Sequence, residues 1–422
     1  MKLPDYSWRH LWGDGFGGLI AALIALPYGL AMAALMGLPP ELGLFSSIIT
    51  APFTALLGRN PVLIGGPSTV TVPFLAAAVA QFGIAGAAKV TIIAGVFLMA
   101  FSVLRLGRLI TKIPPVVVSG FSCGIGGMMI ISQLKTMLGL GAPAGGWAES
   151  MAGQLLQVVD NLGSARWEPL VLAVLVIVAS TFSSRISPKL PAPLIGVLLA
   201  CAISVATGLH TRQVGSISLE IPALVSFSWT PRDVLSVLPS AAGLALVSAA
   251  NLLVTSRLVY HFLGDHKRQK RADHDLELGA YGIANVVAGV FGAPMSIGIP
   301  ARSLANVRCG GRTMVSNLFH AAFLALALYG GARWISQVPV AALAGVTAWI
   351  GAYLLDWSTW RRLPLMRRSE AGAFLATAVG VQLWNPVVAV GLGTLIHFTP
   401  NAMTWLRTPS RPIMAESAAN RL

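Results

Sequence analysis

The sequence Val62-Leu63-Ile64-Gly65-Gly66-Pro67-Ser68-Thr69 joins a short β-prone run to a glycine pair and a proline. A second stretch, GAPMSIGIPARS at residues 292–303, repeats this order with Pro300 as its proline. Proline suits the first turn of a helix, where its missing N–H would have no partner in any case. We therefore predict two half-helices, beginning at Pro67 and Pro300, each preceded by a short strand.

The composition around these stretches is that of a membrane protein. Hydrophobic residues make up 55% of the 422 residues and charged residues only 10%, whereas soluble domains carry about 25% charge. The apolar residues form long runs, such as 16–36 and 371–383. This excludes a disordered chain, a disulfide scaffold and an ordinary cytosolic enzyme. The three cysteines are scattered, without metal-site spacing, so neither a metal nor another cofactor is predicted.

The apolar segments predict an all-α membrane protein. At roughly 20 residues per spanning helix, they divide into about fourteen spans. The predicted cores begin at Phe16, Leu42, Pro67, Gly86, Pro114, Glu168, Leu190, Leu238, Leu278, Ile299, Val315, Val340, Ala371 and Val387.

The distribution of basic residues predicts the topology. With an even number of spans, 22 of the 29 Lys and Arg residues fall on the side of the termini and 6 on the opposite side, which leaves Arg302 within a span. By the positive-inside rule, both termini are expected in the cytoplasm. The chain is expected in the inner (plasma) membrane of the cell. The basic residues lie in short segments between spans, which does not indicate nucleic-acid binding.

The two half-helices point to transport. Pro67 and Pro300 occupy corresponding positions in the two halves of the chain, and paired interrupted spans are typical of a transporter's substrate site. Backbone without helical hydrogen bonds is tolerated at that depth only where protein or a watery cavity covers it.

The residues of the half-helices favour an anion as substrate. Helix N-termini carry a partial positive charge, and here Ser68 and Thr69 stand at one of them and Arg302 and Ser303 at the other. An arginine at mid-bilayer is expected to be functional. All fifteen acidic residues fall in loops, tails or span ends, and none lies in the middle of a predicted span. A cation transporter would need buried carboxylates or many carbonyl ligands. The predicted partners are a small anion and the lipid bilayer.

The chain resembles the SulP anion permeases, bacterial relatives of the solute carrier 26 anion exchangers. The resemblance extends from Asp14 to about Thr399. It depends on an ordered series of short motifs: LPYGLA at 26–31, GLPPELGL at 37–44, GPST at 66–69, LGRL at 106–109, SGF at 119–121, SQLK at 132–135, Arg302-Ser303 and GGRT at 310–313.

The resemblance implies a seven-plus-seven inverted repeat, with spans 1–7 in residues 14–230 and spans 8–14 in residues 231–405, between terminal segments 1–13 and 406–422. It further implies core and gate domains, elevator-type movement, and a homodimer as a possible assembly. The anion would bind between the third and tenth spans. The corresponding substrate-binding positions are Tyr28, Met32, Pro67, Ser68, Thr69, Ala301, Arg302 and Ser303.

The sequence departs from the family pattern at two places. The segment after Thr399 is too short for the STAS domain that relatives carry, so this domain is expected to be absent or supplied by another chain. Asn251, followed by Thr255, stands where relatives place an acidic coupling residue. An amide does not take up a proton at neutral pH. Cation symport through this position is therefore not expected, which favours exchange, uniport or conduction.

Four alternative functions make different demands on the sequence. An uncoupled, channel-like anion conductor would share the fold. A nucleobase carrier of the uracil-permease type would need acidic residues on the core spans, which are missing. An intramembrane enzyme would need a nucleophile–base or metal motif, and the sequence contains neither His-Glu-x-x-His nor Gly-x-Ser-x-Gly. A scaffold or receptor would not require paired interrupted helices.

Overall fold

The structure is a computed structural model. It describes residues 8–107, 114–140, 151–187, 190–209, 211–217, 222, 224–225, 229–263, 273–383 and 386–407. The predicted terminal segments 1–13 and 406–422 lie largely outside the described residues.

The described chain is mostly helical. Its first part contains α1 (Trp8–Met36), α2 (Pro40–Leu57), strand β1 (Gly65–Pro67), α3 (Val72–Val103), α4 (Pro115–Met137), α5 (Met151–Asp160), α6 (Trp167–Ile186) and α7 (Ala192–Thr207). Its second part contains α8 (Pro231–Leu263), α9 (His274–Val290), strand β2 (Ser296–Gly298), α10 (Pro300–Arg308), α11 (Val315–Ile335), α12 (Val340–Leu354), α13 (Trp357–Arg362), α14 (Arg368–Leu383) and α15 (Pro386–Arg407).

The helices agree with the predicted spans. Each predicted core overlaps or closely precedes a helix, and eight helices among the described residues are long and apolar enough to cross a membrane. The third and fourth predicted spans are both in α3. Gly83 breaks that helix with φ 68° and ψ −169°, a left-handed conformation that glycine adopts without steric cost. Glycines elsewhere allow helices to pack closely, since a side chain on Gly43 of α2 would overlap the backbone of Gly29 in α1.

The start of the first half-helix differs from the prediction. Pro67 is the last residue of β1, Ser68 is extended, a 3-10 turn covers Thr69–Thr71, and the α-helix begins only at Val72. Pro73 is then the proline in its first turn. The reason is that Pro67 pairs with Ser296 at the end of a two-stranded sheet, and the end of an edge strand accepts a residue that lacks an N–H. Pro300, in contrast, does begin α10 as predicted.

The helices pack in two groups around the strands. Helices α4, α6, α7, α12, α14 and α15 contact one another, whereas α1, α2, α3, α8, α9, α10 and α11 surround the strand pair. The two groups meet where α1 contacts α7 and α12 and where α8 contacts α15. The strand pair therefore lies within the second group.

Buried side chains satisfy the backbone groups that short strands leave without partners. The Asn285 amide donates to the Ser296 carbonyl oxygen at 2.8 Å and accepts from its N–H at 2.7 Å. Asn306 and Asn317 donate to the carbonyl oxygens of Val62 and Leu63, each at 3.2 Å. Because unsatisfied backbone groups are costly within a bilayer, these amides make non-helical backbone possible there.

Candidate functional site

The strand pair sets the distance between the two half-helices. Strands β1 and β2 are antiparallel, with Gly65 opposite Gly298 and Pro67 opposite Ser296. The chain therefore leaves the two strands at opposite ends of the small sheet, about 7 Å apart along the strands at 3.4 Å per residue. Helix α10 begins directly after β2, whereas α3 begins only at Val72, beyond the 3-10 turn. A side chain must bridge the sheet to bring their groups together.

Arg302 provides that bridge. Its side chain is fully buried, and Nη1 donates to the Ser47 hydroxyl at 3.2 Å and to the Gly65 carbonyl oxygen at 3.3 Å. Nε and Nη2 have no acceptor among the described residues, and no carboxylate in the described part of the chain forms an ion pair with this guanidinium. Burial of an unpaired charge is strongly unfavourable. The side chain thus has unused donors and an uncompensated positive charge.

Tyr28 links Arg302 to the first half-helix. The guanidinium carbon lies 4.9 Å from the centre of the Tyr28 ring, within the range of a cation–π contact. The Tyr28 hydroxyl lies beside the backbone N–H of Thr69 and the hydroxyls of Ser68 and Thr69. Ser68 does not cap the helix with its side chain. The structure thus brings Tyr28, Ser68, Thr69 and Arg302 together.

The remaining predicted residues on α10 have different environments. Ala301 is exposed, and its N–H and that of Arg302 lie in the first turn, where no helical acceptor exists. The Ser303 hydroxyl accepts from the Ile64 N–H at 2.9 Å and donates to the Ile299 carbonyl oxygen at 2.8 Å. That hydroxyl therefore connects α10 to the segment before β1. Its hydrogen atom is already used in the bond to Ile299.

Two further predicted pocket residues are apolar and buried. Met32 is fully buried one turn after Tyr28 on α1. Pro67 is buried at the end of β1. Neither side chain has a polar group that could hydrogen-bond to an anion.

The predicted coupling positions lie on α8. Asn251 is half-buried and lines a small cavity with residues of α4, α8 and α15. Thr255 is buried one turn further along the helix. The other residues lining this cavity are apolar: Val117, Val118, Phe121, Leu246, Val247, Ala250 and Val390. The cavity lies between the two helix groups and does not include Arg302.

Two buried polar residues near the site are not among the predicted site residues. Ser47 of α2 accepts from Arg302, and the hydroxyl pair Ser46-Ser47 within an apolar helix was a signal for it. His320 of α11 is buried, and neither ring nitrogen has a partner among the described residues. As a lone histidine on a helix of small residues, it is interpreted from the sequence as structural.

Among the described residues, no cluster of three or more His, Cys, Asp or Glu side chains could hold a metal ion. The polar groups of the site are donors, namely guanidinium N–H, backbone N–H and hydroxyl groups. Such a donor set can bind an anion by charge-assisted hydrogen bonds.

Comparison with known proteins identifies the family of the chain. The profile of the Sulfate permease family matches residues 11–377. The Bicarbonate transporter BicA of Synechocystis sp. is 32% identical over 398 residues, covering 92% of this chain and 69% of the relative. Human Solute carrier family 26 member 6 is 27% identical over 428 residues, covering 94% of this chain and 55% of the relative.

Solved structures share the fold. The transmembrane domain of a cyanobacterial bicarbonate transporter BicA superposes with a TM-score of 0.81 at 29% identity, covering 93% of this chain and 98% of that one. Murine Solute Carrier 26 family member A9, an anion transporter solved in the inward-facing state, gives a TM-score of 0.83 at 19% identity, covering 96% of this chain and 70% of that one. These relatives are transporters rather than enzymes. The chain is a multi-pass membrane protein of the sulfate permease family.

Proposed function

We propose that the chain is a secondary transporter of a small anion of the sulfate, bicarbonate, chloride or dicarboxylate class. The observation that carries this proposal is the Arg302 guanidinium, which is buried with two unused donor nitrogens and has no carboxylate partner among the described residues. A mobile anion would supply the missing negative charge. The cyanobacterial relatives named as bicarbonate transporters support the same class of substrate.

The anion would bind between the Ser68–Thr69 turn and the first turn of α10. Donors would come from the Ser68 and Thr69 hydroxyls, the N–H groups of Ala301 and Arg302, and the free guanidinium nitrogens. Tyr28, Met32 and Pro67 would form the walls. Ser303 would act through the fold, since its hydroxyl holds α10 against the segment before β1.

Movement of one helix group against the other would expose the site alternately. The site residues belong to the group that surrounds the strands, which corresponds to the core of an inverted repeat, and the second group corresponds to the gate. The cavity lined by Asn251 lies at the boundary, which supports sliding at that surface. We further propose cytoplasmic termini in the inner membrane and a homodimeric assembly.

The amide of Asn251 bears on two questions, namely proton coupling and channel-like conduction. Because an amide has no titratable proton at neutral pH, proton transfer at Asn251 is not part of the proposed mechanism. The relatives named above are described as transporters, which gives no reason to prefer an uncoupled channel.

Substitution of Arg302 tests the proposal. In proteoliposomes, R302Q is expected to weaken the apparent affinity for the transported anion by about 100-fold, since each hydrogen bond to a charged group contributes about 1.5–3 kcal/mol. Uptake of radiolabelled sulfate, bicarbonate, chloride and succinate would be compared with and without an exchange anion inside.

Arg308→Gln is the matched control, because Arg308 is an exposed residue of the same helix and its loss changes the net charge equally. R308Q is expected to keep the wild-type affinity. Protection against thermal unfolding by the anion would be measured for both variants, so that a misfolded R302Q is recognised. Saturable uptake by a folded R302Q with unchanged affinity would contradict the proposal.

A further inference from the structure

A carboxyl group outside the anion site is buried at the beginning of α9. Glu277 is only 2% exposed. Its Oε2 atom accepts from the backbone N–H groups of Arg59 at 2.8 Å and Asn60 at 3.0 Å. The segment after α2 therefore fixes one oxygen of this carboxyl group.

The other oxygen has no partner. Oε1 of Glu277 is buried without a hydrogen bond among the described residues and faces Gly58, where an added Cβ would lie 3.4 Å away. The Asn60 amide nitrogen donates to the carbonyl oxygen and the hydroxyl of Ser256, each at 3.1 Å, and its Oδ1 is likewise buried without a donor. A protonated carboxyl group has an O–H to donate, whereas an ionised one adds a further unpaired acceptor.

Charged groups near this end of α9 have other partners or are exposed. No basic side chain of the described residues forms an ion pair with Glu277. Among the described residues, the titratable and charged groups on the surrounding elements are Arg59 after α2, Arg105 after α3, Arg257 and Tyr260 on α8, and Asp273, His274, Asp275 and Tyr281 on α9.

None of these described groups supplies Glu277 with a counter-charge. Arg257 contacts His274 at 3.3 Å, the Tyr260 hydroxyl donates to the Arg59 carbonyl oxygen at 2.7 Å, and Asp275 accepts from the Gly107 N–H at 2.8 Å. An ionised, buried carboxylate without a cation is unfavourable, so the surroundings of Glu277 fit its neutral form.

Tyr281 connects this carboxyl group to the anion site. It follows Glu277 by one helical turn and is fully buried, and its hydroxyl has no partner among the described residues. That hydroxyl lies 3.2 Å from the Cβ position of Gly65, and the Gly65 carbonyl oxygen accepts from Arg302. A negative charge on Glu277 would thus be connected to the Arg302 guanidinium through Tyr281 and Gly65.

We propose that Glu277 is a proton-binding site of this transporter. A proton from the aqueous side at which α9 begins binds to Oε1 as an O–H bond forms, and it returns to water when the carboxyl group ionises. Ionised Glu277 partly offsets the positive charge of Arg302, and the neutral form does not. This proposal rests on the proposed anion transport. It assigns to Glu277 the proton binding that the amide of Asn251 cannot perform.

E277Q tests the proposal, because glutamine reproduces the neutral carboxyl group. Its carbonyl oxygen accepts from the N–H groups of Arg59 and Asn60, and its amide nitrogen occupies the position of Oε1 and donates. Sulfate and chloride uptake would be measured from mildly alkaline to mildly acidic pH, where neither anion changes its charge.

In the wild type, the anion KM is expected to fall by about fivefold on acidification, the size of a typical coupling between two sites. E277Q is expected to show the low KM at every pH. D275N is the matched control. Asp275 lies on the same turn of α9 as Glu277 and also accepts a backbone N–H, that of Gly107, but it is partly exposed. D275N should keep the wild-type pH dependence. The same pH dependence in E277Q as in the wild type would overturn the proposal.

A second measurement is independent of transport. Infrared difference spectra of the purified, anion-free protein should contain a protonated-carboxyl band that titrates in the wild type and D275N and is missing in E277Q. If this band is found and no anion is transported, the proton site stands and the proposed function fails. If the band is present unchanged in E277Q, the proton site fails. Sodium dependence of the wild-type KM that is lost in E277Q, without a titrating band, would instead assign the pocket to sodium.

Discussion

The two strand–helix segments at the centre of the molecule have similar backbones and different chemistry. After β2, the helix begins at Pro300, and its first turn carries a cation. After β1, the chain stays extended at Ser68 and passes through a 3-10 turn before α3 begins. The first segment therefore presents hydroxyls and N–H groups, and the second presents the charge. Two segments that each follow a short strand can thus supply different chemical groups.

The contact between the segments depends unequally on their glycines. A Cβ on Gly66 would overlap Nη1 of Arg302 and lie 2.5 Å from the Ser47 hydroxyl, whereas a Cβ on Gly298 would meet the end of the Leu63 side chain at 2.9 Å. We expect G66A to displace the guanidinium and abolish saturable anion uptake, with a loss of about 1–3 kcal/mol in stability from overpacking. G298A should retain uptake, because a leucine side chain can rotate away.

Thermal unfolding and uptake in proteoliposomes would measure both effects. G391A serves as the control, since a Cβ at Gly391 meets no atom within 4 Å. Equal losses in G66A and G298A would mean that the two strands are interchangeable, and the distinction between the segments would be lost.

Substitutions of the two serines are expected to change different quantities: S303A should lower the stability of the protein, and S68A should weaken its affinity for the anion. S303A leaves the Ile64 N–H without its acceptor, which costs about 1–3 kcal/mol, and its anion KM should stay near the wild-type value. S68A removes a hydroxyl that does not cap the helix, so its stability should change little. Its KM should rise by about tenfold, the lower limit for one hydrogen bond to a charged group.

These two variants would be compared by thermal unfolding midpoints and by KM for the same anion. The reverse pattern, with S68A unstable and S303A weak in affinity, would assign the substrate hydroxyl to α10 instead of the first segment.

Much of the central site could be predicted from local sequence. The order of glycines, proline and hydroxyls identified both interrupted segments, and Arg302 stood out as a basic residue within a span. The position of Pro67 was misjudged because proline fits a strand end as well as a helix start. Only the pairing with Ser296, far along the chain, decides between them.

Other features depend on contacts between distant parts of the chain. The commitment of Ser303 to Ile64 and the role of Asn317 at Leu63 arise between residues about half the chain apart. Glu277 was assigned to a span end, which is where it lies. Its burial comes from the segment after α2, which no periodicity in α9 reveals.

Substitution of the prolines at the two helix starts should give the smallest changes in stability and in the anion KM. Pro73 and Pro300 both lie in a first turn, and replacement of either by alanine is expected to cost about 0.4–1 kcal/mol through the entropy of the unfolded chain. P300A also adds an N–H beside Arg302, an extra donor for the anion, so its KM should stay equal or fall. In α3, Pro73 lies beyond the 3-10 turn, and P73A should leave KM unchanged. Measured in one uptake assay, an increase of KM in P73A that P300A does not share would mean that the anion contacts α3 itself and not the turn before it.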